Sequence, residues 1–159
     1  MKVNLTNIEI VNIVAYSKLE TSVVQDASYK FSITFAWNLK KNLRKLLKIY
    51  EDFYEDFVQM QNEIMGEYSD DEHSEITEDN QRRVKNEYFA EYNEKMNALY
   101  NEQNEVEISM VKLDKIVPGG IEGLDNAGMS IMDLDILSFM IDESETEKES
   151  KPLITTESE

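Results

Sequence analysis

Eight apolar side chains between Leu39 and Ile64 constrain this chain more than any other feature. Leu39, Leu43, Leu46, Tyr50, Phe53, Phe57, Met60 and Ile64 follow one another at intervals of 4, 3, 4, 3, 4, 3 and 4 residues. Alternating steps of three and four hold a stripe on one side of an α-helix, whereas a strand sends successive side chains to opposite faces. The spacing predicts one long helix here, and so regular a stripe needs a partner to cover it.

A second amphipathic segment, from about Thr77 to Gln103, offers that partner. Val84, Tyr88, Tyr92, Met96 and Leu99 recur at intervals of 4, 4, 4 and 3, the face an antiparallel neighbour presents. Between the two, Gly66 to Asn80 holds seven acids (Glu67, Asp70, Asp71, Glu72, Glu75, Glu78 and Asp79) and little to bury, so it reads as an exposed loop. The expected fold is mainly α (α+β): a long antiparallel helical hairpin with an acidic tip, a small two-stranded β element and short flanking helices.

The flanks follow from local patterns. Met1 to Leu5 alternates like a strand, and Thr6-Asn-Ile-Glu9 matches a capping box that opens a helix from about Asn7 to Leu19, with Ile8, Val11, Val14 and Ala15 on one face. Tyr29, Phe31, Ile33 and Phe35 alternate with polar residues, yet Ala36, Trp37 and Leu39 beyond them suit a helix, which is expected to begin near Ser28. Glu105 to Met110 reads as a strand that pairs with the first one. Pro118-Gly119-Gly120, Gly123 and Gly128 mark a loop, and Ser130 to Asp133 caps a short helix running to about Asp142, with Ile131, Leu134, Leu137, Met140 and Ile141 inward. One domain over residues 1–142 and a disordered acidic tail over 143–159 complete the expectation.

Charge divides the chain. Residues 1–50 carry eight Lys and Arg against three acids, while residues 51–159 carry thirty acids against eight bases, for a net charge of -17. With no cysteine, disulfides, thiolate nucleophiles and sulfur-ligated metals drop out. The N-terminal stretch has neither the cleavage site of a signal peptide nor about 20 consecutive apolar residues, so neither a leader nor a membrane span is expected.

Few residues point to chemistry. His73, the sole histidine, falls in the acidic loop and reads as an exposed loop residue instead of an oriented base. Asp70, Asp71, Glu72 and Glu75 are hard oxygen ligands, but a calcium loop counted from Asp70 would need glycine at its sixth position and glutamate at its twelfth, where Glu75 and Gln81 stand. The glycines lack the context of a phosphate loop. Glu105 and Glu107 have no identifiable metal-sharing partner. No catalytic residue, cofactor or metal is expected.

Two charged surfaces and a set of aromatics remain. Lys40, Lys41, Arg44, Lys45 and Lys48 share one helical face, and at this net charge that face is expected to be answered by acids of the chain itself or of an oligomer, with direct nucleic-acid binding disfavoured. The acidic side can present carboxylates to a basic groove as a mimic of a phosphate backbone. Tyr54, Phe89 and Tyr100 lie off the strict seam and suit a protein partner or a second copy. Together with Asp70, Asp71, Glu72 and Glu75 they form the candidate interaction set.

The capped first helix, the Trp37-Asn-Leu-Lys-Lys-Asn-Leu-Arg-Lys-Leu46 opening, the acidic loop, Tyr92-Asn-Glu-Lys95, the Glu105-Val-Glu-Ile108 strand and the closing Leu/Met-rich helix resemble a family of uncharacterised small acidic helical proteins from phages and prophages of Gram-positive bacteria. The resemblance covers residues 1 to about 143 and carries no catalytic residue. It implies a viral context of host takeover, counter-defence or virion assembly, and the expected function within it is that of a non-enzymatic accessory protein that contacts a host or viral protein in the host cytoplasm, as an inhibitor or modulator of a nucleic-acid-binding or defence factor. The alternative is a virion morphogenesis or tail-associated component.

Overall fold

Thr6 and Glu9 satisfy each other's backbone amides, and the chain enters its first helix there. Thr6 Oγ1 accepts from Glu9 N at 3.2 Å, and Glu9 Oε2 accepts from Thr6 N at 2.7 Å. The computed structural model describes residues 1–144; the expected tail, from residue 145 on, lies outside them. The order is β1 (Lys2–Thr6), α1 (Asn7–Ser17), α2 (Ile33–Glu67), β2 (Ser74–Ile76), β3 (Arg82–Val84), α3 (Asn86–Tyr100), β4 (Gln103–Glu107), β5 (Val111–Lys112), α4 (Gly120–Asp125), α5 (Ile131–Leu137) and β6 (Ile141–Asp142). The protein is mainly α with some β. Its strands form three two-stranded sheets, β1–β4 and β2–β3 antiparallel and β5–β6 parallel.

Packing separates two compact units among the described residues, one made of Met1, Leu19–Asn42 and residues 108–144, the other of Lys2–Lys18 and Leu43–Glu107. In the first, Phe35, Leu39, Ile108, Val111, Ile116, Val117, Leu137, Met140 and Ile141 are buried. Helix α2 starts at Ile33 and not near Ser28, because the chain before it is spent in turns. Asp26 Oδ1 accepts from Ser28 N at 2.9 Å, and Tyr29 N donates to Asp26 O at 3.0 Å. Ser32 then caps the helix, its Oγ accepting from Phe35 N at 3.1 Å while its backbone N donates to Ile116 O at 2.9 Å. The alternating aromatics make a ladder of rings, Tyr29 to Phe31 at 4.6 Å and Phe31 to Phe35 at 4.8 Å.

The glycine segment is also more ordered than a loop. Gly119, at φ 94°, turns the chain into the short helix α4. A Cβ on Gly123 would stand 2.2 Å from Pro118 O, so the turn closes only around a bare α-carbon. Helix α5 has the expected Ser130–Asp133 capping box but ends at Leu137, and Met140 and Ile141 are buried through a 3-10 turn and β6 instead.

In the second unit β1 and β4 pair as expected, Val3 opposite Val106 and Leu5 opposite Asn104, with Lys2 Nζ 3.2 Å from Glu105. Helix α1 buries Ile10, Ile13, Val14 and Tyr16, a face rotated from the expected one because Asn7 is drawn inward. Its Nδ2 donates to Leu99 O at 3.0 Å, and its Oδ1 accepts from Asn104 at 2.8 Å.

The long helix lies where its spacing placed it, but its stripe is only intermittently covered. Leu39, Leu46 and Phe57 are buried, Tyr50, Phe53 and Ile64 are half-buried, and Met60 is 49% exposed. Cover does not follow the reach of the partner helix, since Leu39 and Leu46 are buried towards the N-terminal end of α2 and Met60 is open near the end where α3 packs. The second helix is α3, 15 residues against the 35 of α2, or about 22 Å against about 52 Å at 1.5 Å per residue. It meets α2 near that helix's C-terminal end, where the Phe57 and Tyr100 rings are 5.7 Å apart and Gln61 Nε2 donates to Tyr100 Oη at 2.8 Å, and it also packs on α1, whose Asn7 reaches Leu99 O. Residues 77–85, expected to be helical, instead turn at Thr77–Gln81, with Asn80 at φ 59°, and pair β2 with β3.

Candidate functional site

Folding of the acidic segment begins with Asp70. Its carboxylate accepts from His73 N at 2.9 Å and meets His73 Nδ1 at 2.6 Å, so the ring and the backbone amide of His73 together hold the carboxyl below the usual aspartate range. His73 is not the loose residue expected. Its ring centroid is 4.6 Å from that of Tyr88 and 5.5 Å from that of Tyr68, and its carbonyl accepts from Lys85 N at 2.9 Å. The buried Ser74 hydroxyl is already engaged, donating to Asp70 O and accepting from Arg82 Nη1, both at 2.7 Å. These contacts order the segment.

The other predicted carboxylates divide. Asp71 pairs with Arg82 at 3.3 Å, and Glu75 accepts from Arg83 Nη2 at 2.9 Å and Nε at 3.1 Å. Glu72 stays exposed, and its carboxylate lies with Asp70 and His73 Nδ1 in a group whose ligand atoms are within 4.8 Å of one another. Exposed acids gather this closely without any ion. Glu67, at the end of α2, accepts from Lys95 Nζ at 2.9 Å, and Lys95 also lies 5.2 Å from the centre of the Tyr68 ring. Glu67 first, and Tyr68 after it, raise the Lys95 ammonium well above the ordinary lysine range.

Other acids without an ion pair among the described residues lie on the second amphipathic segment and the turn before it, where the sequence reading places uncompensated charge without naming the residues. Glu87, Glu91 and Glu94 stand on one side of α3, all exposed, and Glu78 and Asp79 project from the turn before it; none has an ion pair among the described residues. The Tyr88 phenol registers this field: desolvation first, then Glu87, Glu72, Asp70 and Glu91, push its pKa up. The Glu87, Glu91 and Glu94 steps of four and three are visible in the chain.

The three aromatics also separate. Tyr54 is 38% exposed and stacked on Tyr50 with centroids 4.4 Å apart, and Phe89 is 52% exposed. Tyr100 is half-buried and engaged by Gln61 and Phe57. A groove of about 420 Å³ has Met60, Ile64, Ala98 and Leu99 for a floor and Glu63, Glu67, Lys95 and Glu102 at its rim. Of the basic stripe, Lys45 donates to Glu107 O at 2.9 Å and Lys40 lies over Trp37 at 5.9 Å. Arg44 and Lys48 have no ion pair among the described residues. No helix among those residues is long and apolar enough to cross a membrane. No protein-family model, curated protein or solved structure matches the chain.

Proposed function

We propose that this protein is a non-enzymatic phage accessory protein that works by protein-protein contact, engaging a basic, nucleic-acid-binding or defence factor of the host in the host cytoplasm. The observation that carries this reading is the row Glu87, Glu91 and Glu94 on α3, exposed and without an ion pair among the described residues. Carboxylates three and four positions apart on a helix repeat every 5–6 Å or so between Cβ atoms. A fixed line of negative charge at that interval suits a groove built to receive phosphates. The α2 end and α3 are read as the two arms of a helical hairpin, a reading supported by the Phe57–Tyr100, Gln61–Tyr100 and Glu67–Lys95 contacts. Arms held in this way spend little ordering entropy on binding.

The test is competitive capture. Immobilised protein should retain DNA-binding proteins from an extract of a Gram-positive host, duplex DNA should displace them, and salt should release them as the screening length falls from about 10 Å at 0.1 M towards about 3 Å at 1 M. The variant Glu87→Gln/Glu91→Gln/Glu94→Gln should retain at least about tenfold less. Equal retention by that variant sinks the reading. A virion component remains the second reading, supported by the incompletely covered stripe of α2, and co-sedimentation with purified virions would favour it.

A further inference from the structure

Helix α2 carries a second apolar line beside its seam. Leu47, Tyr54, Val58 and Met65 are separated by 7, 4 and 7 residues, which keeps them on one face of a helix. Leu47 is 37%, Tyr54 38% and Met65 49% exposed, while Leu46 and Phe57, on the neighbouring face, are buried. The inner face packs inside its own unit, and the outer one meets solvent.

Charge along this outer line is segregated. Arg44 and Lys48 precede its centre, and Glu51 and Glu55 follow it. Each pair is a like-charge pair at i, i+4, an arrangement that weakens an isolated helix by a few tenths of a kcal/mol. None of the four has an ion pair among the described residues. The helix therefore holds two like-charge pairs of opposite sign beside exposed Leu47 and Tyr54, with Lys48 and Glu51, three positions apart, between them.

We infer that the outer flank of α2 from Leu43 to Val58 is a self-association surface, on which a second copy docks antiparallel with a two-fold axis passing near Tyr50. That register sets Leu47 of each copy against Tyr54 of the other, and Leu43 against Val58. It also sets Lys48 against Glu51 and Arg44 against Glu55, each contact occurring twice as an isologous interface requires. A parallel arrangement would bring base to base and acid to acid. The complementarity of the surface with itself names the occupant, independently of the carboxylate row on α3.

The test uses two full-length variants, Arg44→Glu/Lys48→Glu and Glu51→Lys/Glu55→Lys, followed by sedimentation equilibrium with helix content checked by circular dichroism. The unaltered protein should dimerise in the micromolar range, and each variant alone should self-associate at least about tenfold more weakly, because its flank carries one sign throughout. Mixed in equal amounts, the two variants should form a heterodimer that added salt dissociates. A monomer at every concentration up to about 100 µM overturns the inference. So does unchanged self-association of either variant. Failure of the mixture to associate also overturns it, assigning the flank's charges to another partner such as the chain's own acidic C-terminal segment or a nucleic acid.

Discussion

Asn42 is fully buried in the middle of Lys40-Lys41-Asn42-Leu43-Arg44-Lys45, a run whose charged members are exposed. Its Oδ1 accepts from Ser109 N and its Nδ2 donates to Ser109 O, both at 2.9 Å, so the amide substitutes for a strand neighbour just before β5. Replacing Asn42 by Ala removes both bonds and leaves the backbone groups of half-buried Ser109 without them, at about 1–3 kcal/mol for each group left unsatisfied. The expected loss of about 2–4 kcal/mol should lower the urea midpoint with little change in slope; a loss near zero would show that water replaces the amide. Nothing in the sequence marked this residue, because its partner lies 67 positions away. The Thr6–Glu9 and Ser130–Asp133 caps were readable because each pair closes within three residues. Legibility at this scale follows the sequence separation of the partners.

Among the elements, α2 was plain because its pattern runs through 26 residues, and β2 and β3 were not, because three residues each are too few to show a period. What orders that segment is a set of polar contacts, and these carry a pH dependence. The Asp70 carboxyl is lowered in the folded chain by its hydrogen bonds from His73. Its contribution is therefore fully present above the unfolded value, about 3.9, and is lost as pH falls through the lower folded value. The ring-current shifts that Tyr88 imposes on His73 should persist down to the ordinary aspartate range and collapse below it. Collapse already near pH 6 would mean that Asp70 does not hold the ring. Of the four carboxylates chosen from the sequence, Arg82 answers Asp71 and Arg83 answers Glu75. Density in sequence did not separate these paired acids from Glu72, which has no ion pair among the described residues, and it passed over Glu87, Glu91 and Glu94 on the regular helix beyond.

For the molecule as a whole, a net charge of -17 implies self-repulsion in the compact state, which salt screens. At protein concentrations too low for association, the melting temperature should therefore rise between about 0.02 and 0.5 M sodium chloride, where the Debye length falls through about 10 Å. A flat or falling profile would place the excess acids too far apart to matter. The mainly α character was legible throughout, but the way the stripe is covered was not, and four of the six strands among the described residues carry no local signature. The β1–β4 pairing was legible, and it has a consequence for biosynthesis. Leu5 waits for Asn104, and Lys2 for Glu107, so at about 5–20 residues per second the first strand leaves the ribosome roughly 5–20 s before its partner exists. Throughout that interval β1 is an open edge available to chaperones or to another nascent copy. A chain interrupted anywhere before Gln103 would never close it.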